Sequence, residues 1–120
     1  MSTSRPSPNR GEIWLVDFDP TRGTEIQKIR PAVVISADGM GRLPIKLVAP
    51  LTDWKPRYLG YPWHVKVDPD SSNGLAKTSS VDAFQIRGVD TLRFTHRLGR
   101  LSSAKMEEIV LAIGAVIEYP

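Results

Sequence analysis

The chain has 120 residues, a net charge of +3 and a pI near 9.4, the size of one domain able to bury a core without staples. It contains no cysteine, which excludes disulfides, thiolate metal sites and a cysteine nucleophile and suits a reducing cytoplasm, the expected location. No apolar run approaches the ~20 residues that cross a bilayer, and the Ser/Pro-rich residues 1–9 lack the apolar segment of a secretory signal, so they read as a disordered tail before a folded domain at 10–120.

Residues 11–18 alternate imperfectly, Ile13, Leu15 and Phe18 against Glu12, Trp14 and Asp17, and predict a first strand. Pro20 and Gly23 then mark a loop. Residues 31–36 carry Ala-Val-Val-Ile, the short apolar run of a buried strand. Asp38-Gly39 signals a turn, lengthened by the residues after it. A third strand is predicted over 43–52, followed by an exposed loop at 53–60. Residues 61–67 alternate around a proline that an edge strand tolerates. Turn chemistry fills 68–74. Further strands are predicted over 79–86 and, short and basic, over 95–101.

The last element is a helix. Ser102 or Ser103 supplies the N-cap, and Met106, Ile109, Val110, Ile113, Val116 and Ile117 fall on one apolar face. Short strands joined by frequent turns and closed by one helix predict a mainly β domain, a small β-barrel with a packed helix.

The basic balance favours an anionic partner. Arg87, Arg93, His96, Arg97 and Arg100 crowd one stretch, opposed only by Asp90. The two histidines, His64 and His96, are not spaced as metal ligands. Asp68, Asp70, Asn73 and Gly74 have the flavour of a calcium loop, but Ser79 stands where its bidentate glutamate belongs, so a turn is expected. No metal or cofactor is predicted.

Cleaving an RNA phosphodiester needs neither, because the 2′-hydroxyl is a built-in nucleophile. The protein must align it, remove its proton and neutralise the phosphorane. Arginine matches two phosphate oxygens at once, a hydroxyl can complete the oxyanion site, and a carboxylate is a natural base. Arg30, extended before Pro31 where a loop enters a buried strand, is the leading candidate. Thr52, ending a strand, is the second. Glu25, in the loop between the first two strands, is the third. Residues 53–63 interleave aromatics with Lys55 and Arg57, a pattern suited to unpaired bases and phosphates. Trp54 and Tyr58 are the expected base platforms, and Trp63 is expected in the core. Lys28 and Arg87 add cations to this RNA-binding set.

These residues also carry a family resemblance. Residues 14–25 (Trp-Leu-Val-Asp-Phe-Asp-Pro-Thr-Arg-Gly-Thr-Glu) and 30–36 (Arg-Pro-Ala-Val-Val-Ile-Ser) resemble the MazF/PemK signature. Pro50-Leu51-Thr52, residues 60–63, 82–87 and 97–102 and the final helix follow in the family's order. The resemblance implies an SH3-like β-barrel of the CcdB/MazF type, usually a homodimer. It implies the toxin of a type II toxin–antitoxin system, a metal-independent, sequence-specific endoribonuclease acting on single-stranded RNA, mRNA foremost, and restrained by a cognate antitoxin. The family's active-site arginine and threonine fall on Arg30 and Thr52, and the loop glutamate of some members on Glu25.

One departure stands out. Where some members have a catalytic aspartate before Gln85, this chain has Phe84, with Asp82 two residues earlier. Glu25 is then the better base, with Asp82 within reach of the site if the strand is regular. Two other functions share the fold. A CcdB-like gyrase poison is disfavoured by the Ile-Glu-Tyr-Pro end, and a chemistry-free binding module by the joint presence of Arg30 and Thr52.

Overall fold

The structure, a computed structural model, describes residues 6–20, 22–25, 28–40 and 43–120. Seven strands are followed by one helix: β1 (Glu12–Asp17), β2 (Ile29–Val34), β3 (Ile45–Asp53), β4 (His64–Val67), β5 (Ser79–Asp82), β6 (Arg87–Asp90), β7 (Phe94–Arg100) and α1 (Ser103–Val116). Every ladder is antiparallel. The sheet runs β4-β5-β3-β2-β1-β7, with β6 pairing the first half of β3. Here the expected barrel is corrected. β4 and β7 each pair with a single neighbour, so the sheet is mainly β as expected but open between its two edges.

Alternation gives the sheet two apolar faces. Val33, Ala49, Leu51, Val65, Val67 and Val81 face α1 and pack with its Met106, Ile109 and Ala112. Val16, Phe18, Ala32, Val34, Val48, Val89 and Phe94 form a second core on the other side. Ile109 is fully buried, worth about 1.5–3 kcal/mol in area removed from water.

The helix begins as predicted, with the Ser102 hydroxyl accepting from the Lys105 N–H. Its buried stripe is narrower than expected. Val110 and Ile117 are 44% and 64% exposed, and Ala112 is buried in their place. The helix is closed by Tyr119 N–H donating to Gly114 O at 2.8 Å, with Glu118 at a φ of +59°.

Two boundaries moved for local reasons. The strand expected over 79–86 stops at Asp82, whose carboxylate caps a three-residue 3-10 turn at Ala83–Gln85. β6 was not foreseen, since Arg-Gly-Val-Asp offers one buried apolar side chain, Val89. Of the proposed N-terminal tail, residues 1–5 lie outside the described residues. Pro8 is buried and the Asn9 N–H donates to the Glu12 carboxylate at 2.8 Å, so packed chain already begins there. The 68–74 segment is the turn expected. Asp70 accepts from the Ser72 and Asn73 N–H groups, and buried Asn73 bonds Asp68 O and the Leu75 N–H.

Candidate active site

Register assembles the site. Trp14 pairs with Ala32 and Ala32 with Pro50, while Asp82 pairs with His64. One step beyond the β3–β5 ladder puts Pro50 opposite Asp82, because Leu51 pairs with Val81. The adjacent row on the same face follows likewise. Val16 pairs with Arg30, and Thr52 with Ser80, which pairs with Lys66. Continuing the β2–β3 register two residues past Ala32↔Pro50 sets Arg30 across from Thr52. Both are half-buried and line one pocket of ≈ 290 Å³ with Leu51, Asp53 and Lys77. The rigid strands, not a loop, therefore hold these two groups.

The neighbouring row opens into a larger cleft of ≈ 580 Å³. Its walls are the β1–β2 loop (Thr24 and Glu25), Pro50, Trp63, Asp82 and the turn from Phe84 to Arg87. The loop is fixed by its own polar groups. Arg93 donates to the carbonyls of Asp17 and Asp19, Lys28 N–H donates to Asp19 Oδ1, and Glu25 accepts from the Arg22 N–H at 2.6 Å. Gln85 Nε2 reaches both Thr24 O and Asp82 Oδ2 at 3.4 Å, linking the two walls. Arg87 lies over the Phe18 ring, 5.5 Å from its centre. Glu25 and Arg87 thus share one cleft, while Arg30 and Thr52 sit in the pocket one row along.

Trp54 and Tyr58 belong to a third groove, of ≈ 480 Å³, between the Pro56–Gly60 3-10 helix and α1. Tyr58 stacks on His64 at 3.8 Å, Arg57 approaches the Tyr58 ring, and Lys66 lies over Trp54. Lys55, Arg57 and Lys28 are exposed. Trp63 packs against the main core as expected, but it also lines the large cleft and stacks on Tyr61 at 4.8 Å.

Sequence reasoning missed Ser80 and His64. His64 Nδ1 is 2.7 Å from Ser80 Oγ, beneath Thr52's row. Burial pulls the His64 pKa below its ordinary value; Asp82 opposes this and Arg57 adds to it. The signal available was the polar alternation of Ser80 and Asp82 around Val81, legible only once the strand's partners were known. Among the described residues, no group of three His, Asp or Glu side chains is arranged to hold a metal ion.

A family model for the PemK-like, MazF-like toxin of type II toxin–antitoxin systems matches residues 9–117. The chain belongs to this toxin family. It is 36% identical over 106 residues to endoribonuclease MazF9 of Mycobacterium tuberculosis, covering 83% of this chain and 87% of that protein. Its fold matches a crystal structure of MazF from Deinococcus radiodurans with a TM-score of 0.78 at 24% identity, over 94% of this chain and 98% of that one. It also matches a mycobacterial endoribonuclease solved in complex with its cognate antitoxin, with a TM-score of 0.74 at 21% identity, over 94% and 97% of the two chains. In this MazF/PemK toxin the matched span includes the strand row with Arg30 and Thr52 and the loop with Glu25.

Proposed function

We propose that this toxin cleaves single-stranded RNA, mRNA foremost and in a sequence-specific way, by attack of the 2′-hydroxyl on the adjacent phosphate without a metal ion. The enzymatic class, endoribonuclease, is that of its family and its named relatives. The observation that carries the mechanism is the cross-strand placement of Arg30 and Thr52 beside the cleft that holds Glu25. Glu25 takes the 2′-hydroxyl proton. The O2′–P bond forms as the P–O5′ bond breaks, and O5′ takes a proton from water, leaving a 2′,3′-cyclic phosphate and a 5′-hydroxyl. Arg30 neutralises the charge gathering on the phosphorane, and the Thr52 hydroxyl donates beside it. Asp82 is less suited to be the base, since it is buried and its oxygens already accept from Phe84 N–H and Gln85 Nε2.

Lys28, Lys55, Arg57 and Arg87 hold phosphates, and Trp54 and Tyr58 flank the strand of RNA on the far side of His64. A homodimer would lengthen this surface, and an acidic antitoxin tail is the partner suited to cover it. The cysteine-free chain fits a cytoplasmic setting. Incubating the purified protein with a long unstructured RNA in excess EDTA tests the mechanism. Cutting should persist, give 5′-hydroxyl ends, and fail at a position where the cut nucleotide is 2′-deoxy; 5′-phosphate ends or cutting at the deoxy position would refute it.

A further inference from the structure

We propose that Phe84 is a base platform: one unpaired nucleobase beside the scissile phosphate stacks on its ring in the large cleft, where Asp82 reads the base's edge. This rests on the reading of the chain as a ribonuclease of single-stranded RNA.

The first observation is exposure. A phenylalanine on a three-residue turn has no structural need to face water, yet Phe84 is 63% exposed at the rim of the ≈ 580 Å³ cleft. The second is that its ring is not capped by a parallel neighbour. Phe84 meets Trp63 nearly perpendicularly, centroids 5.8 Å apart and planes at 78°. Of the other aromatics that line this cleft, Phe18 is fully buried and Trp63 already stacks on Tyr61. An incoming base in this cleft therefore finds its open stacking surface at Phe84, and base–aromatic stacking tolerates any base.

The third observation is rigidity. Asp82 Oδ1 accepts from the Phe84 N–H at 3.0 Å, the Ala83 N–H donates to Trp63 O at 2.8 Å, and Gln85 Nε2 ties the turn to Thr24. The platform is held in place before RNA arrives.

The fourth is the chemistry beside the ring. Asp82 lies against the cleft only 7% exposed. An ionised carboxylate has about four acceptor directions and no donor. Two of them receive Phe84 N–H and Gln85 Nε2. What remains accepts from an exocyclic amino group, as Asp and Glu do from cytosine N4. Adenine, cytosine and guanine carry that group and uracil does not. Asp82 sits two residues from Ser80 on one face of β5, roughly 7 Å from Thr52's row, so the base it reads is close to the phosphate Arg30 and Thr52 would hold.

Phe84 thus serves recognition where the catalytic aspartate of some relatives would stand. The test is to cut a random-sequence RNA pool and sequence the fragment ends. For the wild-type protein, one position near the cut should favour amino-bearing bases over uracil. Phe84→Ala should flatten that preference and slow cutting at favoured sites about ten- to a hundredfold; Phe84→Tyr should keep both. Phe84→Leu separates stacking from bulk and should behave like Ala. Asp82→Asn keeps an oxygen to cap the turn and should change the preferred base at the same position.

A folded Phe84→Ala or Phe84→Leu protein with wild-type preference and rate overturns the proposal while leaving the ribonuclease reading intact. A wild-type protein that cuts no RNA overturns that reading instead. In that case binding decides the stacking: Phe84→Ala should bind a short labelled unstructured RNA about ten- to a hundredfold more weakly than the wild type by fluorescence anisotropy, and equal affinity in both sinks it.

Discussion

At the scale of the residue, the proposed mechanism has Arg30 and Thr52 divide the labour that a phosphorane needs. Arg30 brings a permanent charge and a planar fork, Thr52 a neutral donor. Arg30→Ala should therefore lower cleavage by at least ~10², and Thr52→Ala by a smaller but clear factor. Both variants should fold, because the two side chains are half-buried rather than core. Rates on a mapped RNA, with circular dichroism as the folding control, check this; a folded Arg30→Ala protein cutting at the normal rate removes Arg30 from the mechanism. The sequence marks these two as candidates through the proline that follows Arg30, the strand end at Thr52 and the family resemblance, and the register sets them across from one another. Ser80 and His64 were not legible there, since neither stands in a motif. Their place depends on β4 and β5 lying next to β3, a fact of register that no local pattern contains.

At the scale of the element, the strands read from alternation were found, with ends shifted by a few residues, and α1 was found with its cap. What failed did so where a polar side chain competes with the ladder. Asp82 ends β5 by capping a turn, and Asp90 accepts from the Leu92 N–H to begin another after β6. The 68–74 turn shows how tightly such pieces dock. Gly74 has a φ of +69°, and a Cβ there would lie 2.1 Å from Leu98 O on β7. Gly74→Ala should therefore be destabilising on the order of 3 kcal/mol or more, from left-handed strain and backbone overlap together. Thermal unfolding measures it, and a Tm within a degree or two of wild type would mean the turn does not seat on β7 in this way. Pairing supports the contact: Arg100 N–H donates to Ser72 O at 2.9 Å.

At the scale of the whole molecule, the open sheet needs its first strand fastened at both sides, and Glu12 does much of this. Its carboxylate accepts from the Asn9 N–H and Trp14 Nε1 and pairs with Arg97 of β7 at 3.0 Å. Burial pushes the Glu12 carboxyl up, but the Asn9 and Trp14 hydrogen bonds, with Arg97 and Arg100 nearby, outweigh it and hold the folded-state pKa below the ordinary value. The stabilisation is then complete above the unfolded carboxyl pKa of about 4.3 and is lost as pH falls through the lower folded value. Denaturant midpoints measured from pH 7 down to 3 should fall more steeply for wild type than for Glu12→Gln, which has no carboxylate to protonate. Parallel curves would show that Glu12 does not couple folding to protons.

The split between strand rows and turns has a consequence for which RNA is cut. Arg30 and Thr52, proposed to hold the phosphate, stand on β2 and β3, strands whose other residues include much of the core. Phe84, proposed to choose the RNA, stands on the three-residue turn after β5, where it faces outward and its exchange costs the fold little. If Phe84 reads the RNA as proposed, a substitution on that one turn retargets cutting while the strands that hold the phosphate stay as they are.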